Sequence, residues 1–126
     1  MSIIPQLAHS LNRRDEIPNQ ELAVIIATTK NNNAVQELVE NLHNKTKGIQ
    51  HDCIKVLYEI GLLQPALITL YLPEFLALLK SKNNRMQWGG MTAINSITMQ
   101  NSKAIYKALP AIKNGDENFI AIKNYF

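Results

Sequence analysis

Apolar positions recur along this chain at helical spacing, and the pattern itself returns 37 residues later. Val56, Leu57, Ile60, Ile68, Leu72, Pro73 and Phe75 are matched by Ala93, Ile94, Ile97, Ile105, Leu109, Pro110 and Ile112. The same step upstream from Leu72, Phe75 and Leu79 reaches Val35, Leu38 and Leu42. Self-similarity at roughly 20 to 50 residues marks stacked helical units, none of which can bury its apolar face alone.

Within the units the periodicity predicts individual helices. Pro18 and Asn19 open a first helix with Leu22, Ile25 and Ile26 on one face, and Asn31 to Asn33 stop it. A second runs from Asn33 to Lys45, with Val35, Leu38, Val39 and Leu42 on an amphipathic face. Ile49 to Gly61 aligns Ile49, Cys53, Val56, Leu57 and Ile60 on one stripe, and Gly61 suits a left-handed helix end. Pro65 begins the next helix, whose face runs through Ile68, Leu72, Phe75, Leu76 and Leu79. Pro73 inside it removes a backbone donor and should kink or break it, as Pro110 should one unit later. The third unit predicts helices over Arg85 to Met99 and Ser102 to Lys113. Met1 to Pro18 lacks periodicity and reads as a leader or a short helix. The units then span residues 19–47, 48–84 and 85–117, with a partial one at 118–126.

The paired helices, the proline of the second helix and the Asn-rich turns resemble the HEAT and armadillo class of repeats. The best-matching strings are HDCIKVLYEIG (His51 to Gly61) with PALITLYLPEFLALLKS (Pro65 to Ser81), and WGGMTAINSI (Trp88 to Ile97) with KAIYKALPAIKNG (Lys103 to Gly115). The resemblance covers about Asn19 to Phe126 and implies an all-α fold, a right-handed α-α superhelix of stacked hairpins. It also implies a scaffold that holds proteins or, less often, nucleic acid along one face.

Composition narrows the setting. With 126 residues, 46% of them hydrophobic, the chain has room for one domain with a contiguous core. Its single cysteine, Cys53, excludes an internal disulfide and a multi-cysteine zinc site, and fits a reducing compartment. The start lacks a secretory pattern, and the longest apolar stretch, Ile60 to Leu79, is interrupted by Gln64, Pro65, Pro73 and Glu74. A soluble, cytoplasmic protein without a membrane partner is expected. A net charge of +3 permits an acidic partner without demanding one.

No catalytic pattern emerges, and no enzyme, cofactor or metal is expected. His51 and Cys53 lie about 200° apart around a helix and cannot converge on one ligand. Cys53 falls on the apolar stripe and reads as a core thiol. His9 and His43 have no companions, and Glu21, Glu37, Glu40, Glu59 and Glu74 are scattered over polar faces. Glu37 and Glu74 are equivalent across the repeat, which suits a structural or solvated position. Serine-nucleophile and phosphate-loop motifs are absent.

What remains are surfaces. Trp88, Gly89 and Gly90 read as a close approach of two helices with Trp88 over the junction; the alternative is an exposed tryptophan anchor. Tyr71, Glu74, Lys103, Tyr106 and Lys107, the non-core positions of second helices, are the candidate contacts for a protein partner. Lys45, Lys47, Lys80, Lys82, Arg85 and Lys113 fall at second-helix ends, where cations oppose the helix dipole. The functional alternative is a DNA-tracking ridge of Lys80, Lys82, Arg85, Lys103, Lys107 and Lys113. The apolar end, Phe119, Ile122 and Phe126, offers self-association.

Overall fold

A computed structural model describes residues 2–97, and all the regular structure among them is helical. The helices are α1 (Ile17–Thr29), α2 (Asn32–Glu40), α3 (Lys47–Leu63), α4 (Leu72–Leu78) and α5 (Asn84–Ile97). Short 3-10 turns occupy Ile4–Gln6, Asn41–His43, Pro65–Leu67 and Thr69–Tyr71. Among the described residues no helix is long and apolar enough to cross a membrane.

Capping chemistry sets several boundaries. Pro18 stands in the first turn of α1, where its missing N–H costs nothing. Lys30 ends α1 in the left-handed region at φ 51°, and Asn31 then caps α2 by accepting from Ala34 N at 3.1 Å. The Asn run therefore stops one helix and starts the next. α2 is shorter than its periodicity predicts, because the chain tightens into a 3-10 turn after Glu40. Lys47 consequently opens α3, at the helix end where the dipole disfavours a cation, and does not close a second helix.

Two expectations for the middle of the chain are corrected. Gly61 does not close α3: no glycine has a positive φ among the described residues, and the helix runs on to Leu63. Gly61 is buried beside Ser96, and a Cβ there would stand 2.6 Å from Ile68 Cδ1. Its role is close approach. Nor does Pro73 kink a long helix begun at Pro65. The stretch from Pro65 to Tyr71 forms two 3-10 turns, and Pro73 lies in the first turn of α4, which it helps to start.

The core is one cluster with α3 at its centre, packed between α1 and α5 with α2 across it. Phe75, wholly buried, is its largest fully buried side chain and contributes about 2 to 3 kcal/mol by leaving water. Ile54 lies against Gly89, and Gly61 against Ser96, a constant offset of 35 residues, so α3 and α5 run parallel. α4 runs antiparallel to α5: Phe75 and Leu78 face Gly90, and Gln87 Nε2 donates to Leu79 O at 3.0 Å.

Burial repeats with the sequence. Cys53, Val56, Leu57 and Ile60 are buried, and so are Gly90, Ala93, Ile94 and Ile97, their equivalents 37 residues on. Val35, Leu38 and Leu42 match Leu72, Phe75 and Leu79 in the same way.

The amino-terminal segment, residues 2–16, packs on this core. Leu7 is fully buried, and Ile3 and Ala8 nearly so. Polar side chains from three helices fasten it. Glu37 Oε1 accepts from Ile3 N at 2.8 Å and its Oε2 from Ser2 Oγ at 2.5 Å. Asn19, wholly buried, accepts from Ala8 N at 3.0 Å and donates to Asp52 Oδ1 at 2.9 Å. Asp52 Oδ2 accepts from His9 N at 2.7 Å.

Candidate functional site

Fastening the amino-terminal segment beside α3 creates a cleft. Its floor is α3 and its two walls are the Arg13–Glu16 turn and the first turns of α5. One part, of about 310 Å³, is lined by Glu16, His51, Asp52, Ile54, Lys55, Tyr58, Arg85 and Trp88. An adjoining part of about 240 Å³ shares Glu16, His51, Asp52 and Arg85 and adds His9, Arg13, Arg14 and Asp15.

Trp88 dominates the first part. Gly89 and Gly90 let α5 settle onto Ile54 and Leu78, as a close approach requires. Trp88 nevertheless stays 54% exposed. Its ring stands edge-on to Tyr58, 5.7 Å between centroids at 84°, a favourable aromatic geometry. The far side of this arrangement is also fixed: Lys55 Nζ lies 5.0 Å from the Tyr58 ring centre and 2.8 Å from Glu59 Oε1. Trp88 thus covers the α3–α5 junction and still presents an apolar surface to solvent.

The polar end of the cleft is built around His51. Asn83 Nδ2 lies 3.1 Å from its Nε2, and Arg85 Nη1 lies 3.3 Å from its Nδ1. Asn83 Oδ1 is already engaged by Arg85 N at 3.0 Å and Met86 N at 3.3 Å, which turns the amide NH2 toward the imidazole. Both neighbours are therefore donors, whereas a neutral imidazole has one acceptor nitrogen and an imidazolium none. Burial, then the Arg85 charge, holds the His51 pKa below its usual value. Cys53, two residues on, points into the core, and burial pushes its thiol up to about 12. The expectation of a core cysteine on the opposite side from His51 stands.

The residues singled out from the sequence are dispersed. Tyr71 is half-buried against the core, while Glu74 is exposed. Glu37 and Glu74 have diverged, one holding the amino-terminal segment and the other solvated. Lys80, Lys82 and Arg85 are all exposed, but Lys80 borders a separate groove with His43, Gln50 and Met86, whereas Arg85 turns to His51. Lys103, Tyr106, Lys107, Lys113, Phe119, Ile122 and Phe126 lie outside the described residues. No three His, Cys, Asp or Glu side chains are grouped to hold a metal ion among the described residues.

Glu16, Arg14, Lys55 and Tyr58 were not singled out by the sequence. A signal existed for Tyr58 alone: on α3 it stands seven residues after His51, two helical turns along the same face. Nothing local shows that the Arg13–Glu16 turn folds back to α3. Compared with known protein families, curated proteins and solved structures, the chain matches none.

Proposed function

We propose that the protein is a non-catalytic interaction module, a HEAT-like right-handed superhelix of stacked hairpins that holds a segment of a protein partner. The observation that carries this is Trp88: a tryptophan more than half exposed, steadied by Tyr58, lining a cleft over α3. Tryptophan is enriched among the few residues that dominate binding energy, and a pre-set ring loses little entropy on contact. The parallel α3 and α5 and the burial repeated at 37 residues support the stacked reading. This reading places the contact surface on α3 and α5, in addition to the Tyr71, Glu74, Lys103, Tyr106 and Lys107 expected from the sequence, of which Tyr71 is partly buried and Glu74 exposed. The free buried thiol of Cys53 supports a reducing, cytoplasmic setting.

The competing reading is duplex DNA along Lys80, Lys82 and Arg85, favoured by their shared exposure near the α4–α5 turn. Selection of peptides from a displayed random library against the wild-type chain separates the two. Peptides that lose at least tenfold in affinity on Trp88→Ala are expected. Selected peptides indifferent to that change would sink the reading. Steeply salt-dependent binding of labelled duplex DNA would put nucleic acid in its place. Light scattering on the same sample reports whether a second copy is the partner.

A further inference from the structure

The corner formed by His51, Asn83 and Arg85 holds more donors than acceptors. One of the two donors facing the imidazole is always unmet. The Arg85 guanidinium is exposed and has no carboxylate within ion-pair distance among the described residues. Arg14, exposed in the adjoining part of the cleft, has no side-chain partner there either. The carboxylates of the cleft do not answer these cations. Asp52 Oδ2 accepts from His9 N and its Oδ1 from Asn19 Nδ2, and Asp15 is held by Arg13. Glu16 at the mouth is the uncommitted one among the described residues. Next to the unmet donors lies the open surface of Trp88.

The geometry points to an acidic partner segment: an extended peptide whose carboxylate side chain is received by Arg85 and Arg14, with an adjoining apolar side chain laid on Trp88. This rests on the interaction reading above and names the chemistry of its partner. A carboxylate seated at Arg85 also stabilises the imidazolium of His51. The titratable and charged groups of the cleft and of its α3 floor are Arg85 from α5, Lys47, Asp52, Lys55 and its partner Glu59 from α3, and His9, Arg13, Arg14, Asp15 and Glu16 from the amino-terminal segment. Burial, and after it the Arg85 charge, resists protonation of His51 until an anion is seated at Arg85, so binding strengthens as the pH falls from 7.5 to 6.0.

The test uses the full chain and two fluorescein-labelled dodecapeptide pools. Apolar positions are randomised in both, and the pools differ only in carrying Glu or Gln at every second residue. Anisotropy should show the Glu pool binding about tenfold tighter than the Gln pool, as expected for a charge-assisted contact. Arg85→Gln should erase that preference, Trp88→Ala should weaken both pools, and Glu16→Gln should tighten the Glu pool. The His51 ring protons, followed by NMR, should titrate at higher pH with the Glu pool bound. Equal affinity for the two pools, still dependent on Trp88, would overturn the acidic partner and leave the interaction module standing. Failure of both pools to bind would overturn both. Duplex DNA binding tighter than the Glu pool and dependent on Arg85 would overturn the acidic segment in favour of nucleic acid.

Discussion

Burial, then the Arg85 charge, favours the neutral form of His51. Its pKa is lowered on folding, so the unfolded chain takes up the proton first as the pH drops. The stability it supports is complete above the unfolded value of 6.5 and drains away as the pH falls through the folded one. Urea midpoints at pH 7.5 and 5.5 should therefore differ less in His51→Gln than in the wild type. Cys53 runs the other way. Its thiol is raised to about 12 by burial, so stability is complete below pH 9.0, the unfolded value, and is lost as the pH rises toward 12. At pH 8 a disulfide reagent should label it only as fast as the protein opens. Gly90 tests the packing itself. Alanine there would gain about 1 kcal/mol of helix propensity. Its Cβ, however, would stand 2.7 Å from Leu78 Cβ and 3.0 Å from the Phe75 carbonyl, neither of which can swing aside. Gly90→Ala should lower the unfolding free energy by about 1 to 3 kcal/mol in urea melts, the overpacking term winning.

At the scale of elements, the amino-terminal segment depends on α3 through Asp52 more than on its own two or three turns. Removing that carboxylate strands a buried amide, Asn19 Nδ2, and the His9 N–H. Asp52→Ala should cost about 1 to 3 kcal/mol. Hydrogen exchange at Leu7 and Ala8 should accelerate by more than that at α5, and equal acceleration would refute the fastening role. Register explains why the sequence comparison reached α2 but not α1. Buried Asn19, Leu22, Ala23, Ile26 and Ala27 of α1 correspond to buried Cys53, Val56, Leu57, Ile60 and Gly61 of α3 at a step of 34 residues. The second helices keep the step of 37. The first hairpin is shorter by nearly one helical turn, so a single fixed offset slides α1 out of phase.

At the scale of the whole molecule, among the described residues α3 packs against both α1 and α5, whereas α4 packs chiefly against α5. If the proposed stacking holds, stability is a sum of local and nearest-neighbour terms. Gly90→Ala, placed between α4 and α5, should therefore speed hydrogen exchange in those two helices well before α1. Uniform acceleration would mean that the described residues unfold as one unit. Leu62 and Leu63 are also exposed at the carboxy-terminal end of α3, and Leu70 in the Thr69–Tyr71 turn is 83% exposed.

The sequence by itself determined that the described residues are helical, where several helices begin, and the buried stripe. Helical periodicity and capping are short-range, so Asn31, Pro18 and the spacing of Val56, Leu57 and Ile60 carry them directly. It also located Trp88 and its two glycines as unusual, without deciding whether the indole faces inward. Tertiary structure alone decided the cleft. Glu16, Asp52, Arg85 and Trp88 lie far apart in sequence, and their meeting depends on the offset at which α5 docks on α3 and on where residues 2–16 fold back. It likewise decided that Gly61 serves close approach rather than helix termination, because only the neighbour across the interface, Ser96, distinguishes the two. Local patterns fix what a residue does for its own helix; what it offers a partner depends on which neighbours have already claimed its donors and acceptors.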